Sequence, residues 1–332
     1  MPRSSVSIAK VLVSTGRDLQ SGDRSLHSKI THSMSTEITP QPKPTVSIIG
    51  AGRLGQALAA ALKSCNYPVL AVVTRRRGSA VKASKRLQDN PVALTPNRLA
   101  SLPPTDLILI ATPDDAIAET ARLLSQTLKT GKGVTVLHTS GALASDVLDP
   151  LRRLGCETGS MHPLVSISDP VSGAWSLQYA HYCLEGTRKA TTVARSLVRD
   201  LGGQSFTIKQ KDKALYHAAA VMVSPHLVSL FDLASEMIAA CGVRKRDARV
   251  AFAPLLQSTI NNLKASEPQK ALTGTFARGD IDTVRRHLEA LSLKKFAAAR
   301  EVYKQLGLHS LDLAKKNGLD PKLTAAIKKL LR

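Results

Sequence analysis

Residues Ser47 to Gly78 read SIIGAGRLGQALAAALKSCNYPVLAVVTRRRG, and this stretch decides the fold. A short apolar run ends in Gly50-Ala51-Gly52-Arg53-Leu54-Gly55, a G-x-G-x-x-G sequence, and an alanine- and leucine-rich helical segment follows it. A second apolar run, PVLAVV, comes next. Strand, glycine turn, helix and strand in this order form the first unit of a dinucleotide-binding sheet. Gly50 permits the tight turn, Gly52 lets the backbone approach a pyrophosphate, and Gly55 lets helix and strand pack closely. With Ala51, Arg53 and Leu54, these residues offer an anion the free N–H groups and partial positive charge of a helix N-terminus. The alternative is a glycine-rich turn in a similar domain that holds no nucleotide.

The end of the second run points to the cofactor. An NAD site places a carboxylate about 20 residues beyond the glycines, where it bonds the ribose 2′-hydroxyl. Here the run ends at Thr74-Arg75-Arg76-Arg77, without a carboxylate. A hydroxyl and guanidinium groups are what a 2′-phosphate selects, through charge-assisted hydrogen bonds. The expectation is NADP(H), held by Thr74, Arg75 and Arg76; the plainer alternative is arginines that face solvent after a strand.

Outward from this unit, apolar runs continue to alternate with helical segments. PVAL, DLILIAT and GVTVLHT read as strands, and YAHYCLEG and QSFTI as two more. Continuous apolar strands between helices mean a parallel sheet covered on both faces. Two loops leave the strand ends where ligands bind in such sheets. One carries Ala111, Thr112 and Pro113, expected beside the cofactor, with Asp114 read as a helix N-cap. The other carries Ser140, placed to bond nicotinamide or substrate. After Lys209 the patterns are helical to the end. The expected organisation is a tail over residues 1–44, a Rossmann-like α/β domain over 45–208 and an all-α domain over 209–332.

Composition narrows the function classes. Aromatic residues make up only 3% of the 332, so the core is built of Ala, Leu and Val. The four cysteines are scattered, which excludes a disulfide framework or a C-x-x-C zinc site. The net charge of +21 raises the question of nucleic acid, and Lys294 to Arg332 alone holds ten basic and three acidic residues. No zinc-finger spacing or aromatic RNA-binding signature accompanies the charge, so a basic surface that attracts phosphates is expected rather than a nucleic-acid partner. The apolar segment from Ala214 to Cys241 carries two His, a Pro, an Asp and a Glu; it reads as a helix buried within a protein rather than a membrane span. Such a helix also suits pairing of two subunits, and a homodimer is expected. The tail is Ser- and Thr-rich and poor in large apolar residues, hence expected to be disordered. Localisation is expected to be cytoplasmic, with a mitochondrial address as the alternative offered by the basic, Ser-rich start, against which Asp18 and Asp23 count.

The motifs GAGRLGQAL, TPDDAI, HTSGAL, GSMHPL, KALYHAAAV, LTGTFARGD and TVRRHLEAL occur in this order. Together they resemble a family that joins a Rossmann-like domain to a helical domain of unknown function, over about residues 45–310. The layout is similar to that of the β-hydroxyacid dehydrogenases, 6-phosphogluconate dehydrogenase, pyrroline-5-carboxylate reductase and the deazaflavin-dependent NADP reductases. The resemblance implies a shared fold and NADP use, and names no substrate. Two positions depart from the family pattern: Pro225 stands where Asn follows Ser224, and Thr275 where Pro follows the LTG segment.

Hydride transfer to a carbonyl or imine needs a proton donor beside the developing charge. The β-hydroxyacid dehydrogenases carry a Lys for this on the helix that opens the helical domain. The resemblance gives that role to Lys213, with His217 one turn on along the same face as its partner or a substrate ligand. The run KQKDK equally suits a solvent-facing helix start. His162, just past an expected strand end and held extended by Pro163, reads either as a fixed ligand or as a structural hydrogen-bonder. His287 and Asp280 form a polar corner of the helical region, with a helix cap the plainer role for Asp280. The reading that results is an NADP(H)-dependent oxidoreductase acting on a small oxo or hydroxy acid or an imine. A non-catalytic NADP(H) sensor and a nucleic-acid-associated protein stand as alternatives.

Overall fold

The apolar runs between Val46 and His138 form β1 (Val46–Ile49), β2 (Val69–Val73), β3 (Val92–Leu94), β4 (Leu107–Ile110) and β5 (Thr135–His138), all parallel. β6 (Glu157–Pro163), β7 (His181–Gly186) and β8 (Gln204–Thr207) complete an eight-stranded sheet ordered β3-β2-β1-β4-β5-β6-β7-β8. This computed structural model describes residues 42–332 apart from residue 88. The tail and its targeting expectation lie outside the described residues, except at the tail's last residues, where Lys43 pairs with Asp200.

β7 runs antiparallel to β6, so the sheet is mostly rather than wholly parallel. His162 lies within β6, not past a strand end. The strand escapes the apolar-run criterion because Ser160 and His162 are polar; they meet other polar side chains rather than an apolar layer.

Helices α1 (Arg53–Ser64), α2 (Arg77–Arg86), α3 (Asp114–Thr127), α4 (Asp149–Arg153), α5 (Pro170–Leu177) and α6 (Arg188–Asp200) cover the sheet. One apolar layer joins α1, α2, α5 and α6 to the sheet through Leu58, Leu62, Ala83, Leu177 and Leu197. The other uses Ile117, Ala121 and Leu124 of α3 and Leu151 of α4. Small residues set the spacing. A Cβ on Gly55 would run into the Gly50 carbonyl, and one on Gly173 would lie 3.2 Å from the Ala57 methyl.

Past β8 every element is helical: α7 (Lys213–Val223), α8 (Pro225–Ala240), α9 (Lys245–Ala265), α10 (Pro268–Ala271), α11 (Thr275–Arg278), α12 (Ile281–Ala290), α13 (Ala297–Lys316) and α14 (Pro321–Leu331). Val284, Leu288, Leu311, Ile327 and Leu331 form their own small core. The expected long helix divides at Ser224, where ψ is −81°, because Pro225 has no N–H to continue the ladder. By length and composition alone, Gln210–Ala240 meets the criterion for crossing a membrane, with a mean hydropathy of 1.4, yet only 6% of its most apolar window is buried. The expected burial is thus not met among the described residues, which fully cover little of this helix.

Candidate functional site

The nucleotide edge is built by β1, β2 and β4. The N–H groups of Gly50 and Ala51 both donate to the Val73 carbonyl, at 2.9 and 3.1 Å, which ties the glycine turn to the end of β2. Gly50 has φ +95°, and a Cβ there would press 2.5 to 2.7 Å from the backbone of Ala111 and Thr112. That position admits no side chain. Gly52 differs: it caps α1 with extended backbone, is exposed, and a Cβ there would meet nothing within 4 Å. The space it leaves open lies against the N-terminus of α1.

Thr112 sits beside the turn on the β4 loop, and its hydroxyl oxygen is buried without a hydrogen-bond partner. Buried hydroxyls are seldom left so, and a ligand in the loop is one way to satisfy it. Across the edge, Thr74 donates its hydroxyl to the Arg76 carbonyl at 2.8 Å, while Arg75, Arg76 and Arg77 are exposed around the start of α2. Glycine at residues 50 and 52 of the turn, an orphaned hydroxyl and guanidinium groups unpaired among the described residues fit a phosphorylated dinucleotide at one sheet edge. Asp114 is not the N-cap expected of it: Pro113 holds that place and Asp114 is the first helical residue.

A row of polar side chains crosses the next three strands. His138 of β5 is in register with Ser160 of β6, and Ser160 with Glu185 of β7; one step along, His162 is opposite Cys183. His138, Ser160, Cys183 and Glu185 are all buried. The first turn of α7 lies over this row. Lys213 is only 2% exposed and donates from Nζ to Ser160 Oγ at 2.7 Å, so a solvent-facing lysine is ruled out. Burial pushes its ammonium pKa down, and Cys183, Glu185 and Asp114 act against that shift. Among the described residues no carboxylate lies within ion-pair distance of Lys213.

The loop after β5 is held from both sides. Glu185 accepts from the Ser145 N–H at 2.8 Å and the Ser145 hydroxyl at 2.6 Å. His138 accepts from the Ser140 N–H through Nδ1 at 3.2 Å, which leaves its proton on Nε2, 3.3 Å from the Ala144 carbonyl. Burial, helped by Lys213, pulls the His138 pKa down to about 3, so the ring is neutral at pH 7. Ser140 Oγ accepts from the N–H groups of Ala142 and Leu143. At the tip, Gly141 meets two imidazoles: a Cβ there would run into the His217 ring and lie 2.8 Å from His162 Nε2. The centroids of these rings are 5.9 Å apart.

Residues 30–163 match a Rossmann-like domain, and residues 180–310 match a domain of unknown function, DUF2520. The two matches follow one another along the chain. Among solved structures it is similar to a protein described as an NADP oxidoreductase from Bacteroides fragilis, with a TM-score of 0.65 and 19% identity over 82% of this chain and 99% of that one. It is also similar to a pyrroline carboxylate reductase from Plasmodium falciparum solved with NADP bound (TM-score 0.53, 12% identity, 86% and 99% covered). An imine reductase from Streptomyces aurantiacus gives a TM-score of 0.51 at 18% identity, with 86% and 93% covered. At these identities the likeness establishes the fold. None of the curated proteins compared matches the chain.

His162 and His217 thus meet at Gly141, next to Ser140 in the loop after β5, and Lys213 precedes His217 by one turn of α7 on Ser160. His287 does not join them: it bonds the Tyr303 hydroxyl at 2.9 Å, and Asp280 caps α12 by accepting from the Thr283 N–H. Sequence reasoning missed Ser160, Cys183, Glu185 and Tyr216. The signal for the first three was a polar residue at alternate positions of otherwise apolar strands, which is how a strand shows a polar face.

Proposed function

We propose that the protein is an NADP(H)-dependent oxidoreductase whose substrate, a small oxo or hydroxy acid or an imine, lies between the glycine turn and the first turn of α7. One observation carries this reading: a lysine sunk beneath the ligand-binding edge of a dinucleotide-type sheet, held by a serine and surrounded by histidines. Burying an ammonium group without a close carboxylate opposes folding, and such groups concentrate at functional sites. When bound, the nicotinamide would supply or take the hydride. The chain's part is to hold the proton at Lys213 Nζ, with Ser160 Oγ fixing its position, and to bind substrate through His162 and His217. The open space at Gly52 and the helix start of α1 support the pyrophosphate, and Thr74, Arg75 and Arg76 support a 2′-phosphate.

Calorimetric titration tests the cofactor. Wild type is expected to bind NADPH in preference to NADH. Arg75→Glu/Arg76→Glu should weaken NADPH by about 100-fold or more, the loss of two charge-assisted hydrogen bonds, and change NADH by less than about threefold. Equal loss of both would remove the 2′-phosphate assignment. Absorbance at 340 nm with oxo acids and imines then tests turnover.

The same reading includes a homodimer. Leu215, Met222, Val223, Val228, Val250 and Leu255 on α7, α8 and α9 are all exposed, Val228 by 71%. An apolar surface of this extent on adjacent helices marks an association face, and a second copy offers the matching one. Sedimentation should give twice the mass of one chain, and Val228→Glu should halve it. A wild-type monomer at micromolar concentration would end this part of the proposal.

A further inference from the structure

Tyr216 stands one turn along α7 from Lys213, and its hydroxyl oxygen lies 2.6 Å from His162 Nδ1. Either atom could carry the proton, and the surroundings decide which does. A separation of 2.6 Å falls in the range of O–H donors and below that usual for N–H donors to oxygen. Cys183 faces His162 across the strand pair and is the other group near the phenol. A thiol sulfur is a weak acceptor. The phenolic proton therefore goes to the imidazole nitrogen rather than to the thiol sulfur. Burial favours the uncharged form of all three, raising the Cys183 and Tyr216 pKa values and lowering that of His162 to about 4. Neutral His162 then has its one proton on Nε2, beside Gly141.

We infer that Tyr216 is a positioning residue: it fixes His162 in the Nε2–H tautomer, so that the ring offers a donor beside Gly141 to a carboxylate oxygen of the substrate. The inference rests on reading this cleft as the substrate site. Two observations favour an anion. Lys213 is close enough to lower the His162 pKa through its charge, and His217 places a second imidazole against the same glycine. A Cβ at residue 141 would run into both rings, so only glycine lets His162 and His217 pack against this loop together. The titratable groups that act on His162 are Tyr216, Lys213 and His217 from α7, Cys183 from β7 and His138 from β5.

Two-bond proton–nitrogen correlation spectra on the full chain labelled with 15N-histidine read the tautomer directly, with His162→Gln to assign the signal. Wild type is expected to show His162 protonated on Nε2 at pH 7. In Tyr216→Phe the signal should become a mixture of tautomers, with the fold retained by circular dichroism. Oxalate, as the carboxylate probe, should shift Nε2 saturably in wild type and about five- to tenfold more weakly in Tyr216→Phe, one hydrogen bond's worth. A wild-type ring protonated on Nδ1, or a tautomer unchanged in Tyr216→Phe, overturns the role of Tyr216; an Nε2 signal indifferent to oxalate overturns the carboxylate. NADPH titration of the same samples is independent of both results. A protein that fails to bind NADPH yet shows the fixed tautomer and the oxalate shift would refute the oxidoreductase reading and leave this one standing.

Discussion

Gly52→Thr is expected to abolish NADPH binding while leaving the melting temperature unchanged or slightly raised. The residue caps α1 with φ −75° and ψ −154°, an extended conformation that threonine adopts freely. Its side chain would meet no protein atom within 4 Å of Cβ, so folding has no reason to suffer. The same side chain would occupy the approach of a pyrophosphate to the helix N-terminus. Calorimetry should show a loss of about 100-fold or more in NADPH affinity, some 2.7 kcal/mol. Gly50→Ala gives the opposite pattern. At φ +95° and with the Ala111–Thr112 backbone against it, an added Cβ strains the fold by at least about 2 kcal/mol. In a domain of this size that lowers the melting temperature by roughly 4 to 8 °C. If Gly52→Thr binds NADPH as wild type does, the glycine turn is not a pyrophosphate site and the cofactor assignment fails with it.

The contrast between these glycines also shows what the sequence could tell. The motif identified both positions and their local context, because a glycine turn between an apolar strand and a helix depends on neighbours in the chain. The same holds for the runs VLAVV and LILI, whose unbroken apolar character requires burial on both faces. β6 was obscure for the reason that makes it interesting. Its Ser160 and His162 break the apolar pattern because their partners, Lys213 and Tyr216, come from a helix more than fifty residues on. No local periodicity encodes that meeting. Resemblance supplied Lys213 and His217, and spacing put both on one face of α7. The burial of Lys213, and the carboxylate of Glu185 fastening the loop that carries Ser140, follow only from the sheet register. The apolar length of α8 was plain, but whether it faced its own chain was not, since a core helix and an association helix carry the same composition.

Lys213→Met should separate function from folding in the other half of the site. Burial lowers the folded pKa of Lys213 below its ordinary value, so the ammonium form costs the folded state more than the unfolded one. By linkage this cost is present at all pH values below the folded pKa and falls away as pH rises toward the unfolded value. Methionine keeps most of the side chain's volume and removes the charge. Replacing buried charge by apolar atoms of similar shape is neutral or stabilising by about 1–2 kcal/mol. Against this stands one hydrogen bond, to Ser160, whose hydroxyl is left without its donor at a cost of about 1 kcal/mol. The expected result is a melting temperature unchanged or a few degrees higher, with NADPH affinity within about threefold of wild type. Turnover on the substrate that the 340 nm assay identifies should fall roughly 10²- to 10⁴-fold, the range of a lost general acid. A lysine kept for structure predicts the reverse: a lower melting temperature and turnover reduced only in proportion to unfolding. A variant that melts about ten degrees lower and retains its rate would place Lys213 among the fold's supports and return the search for the proton donor to His217.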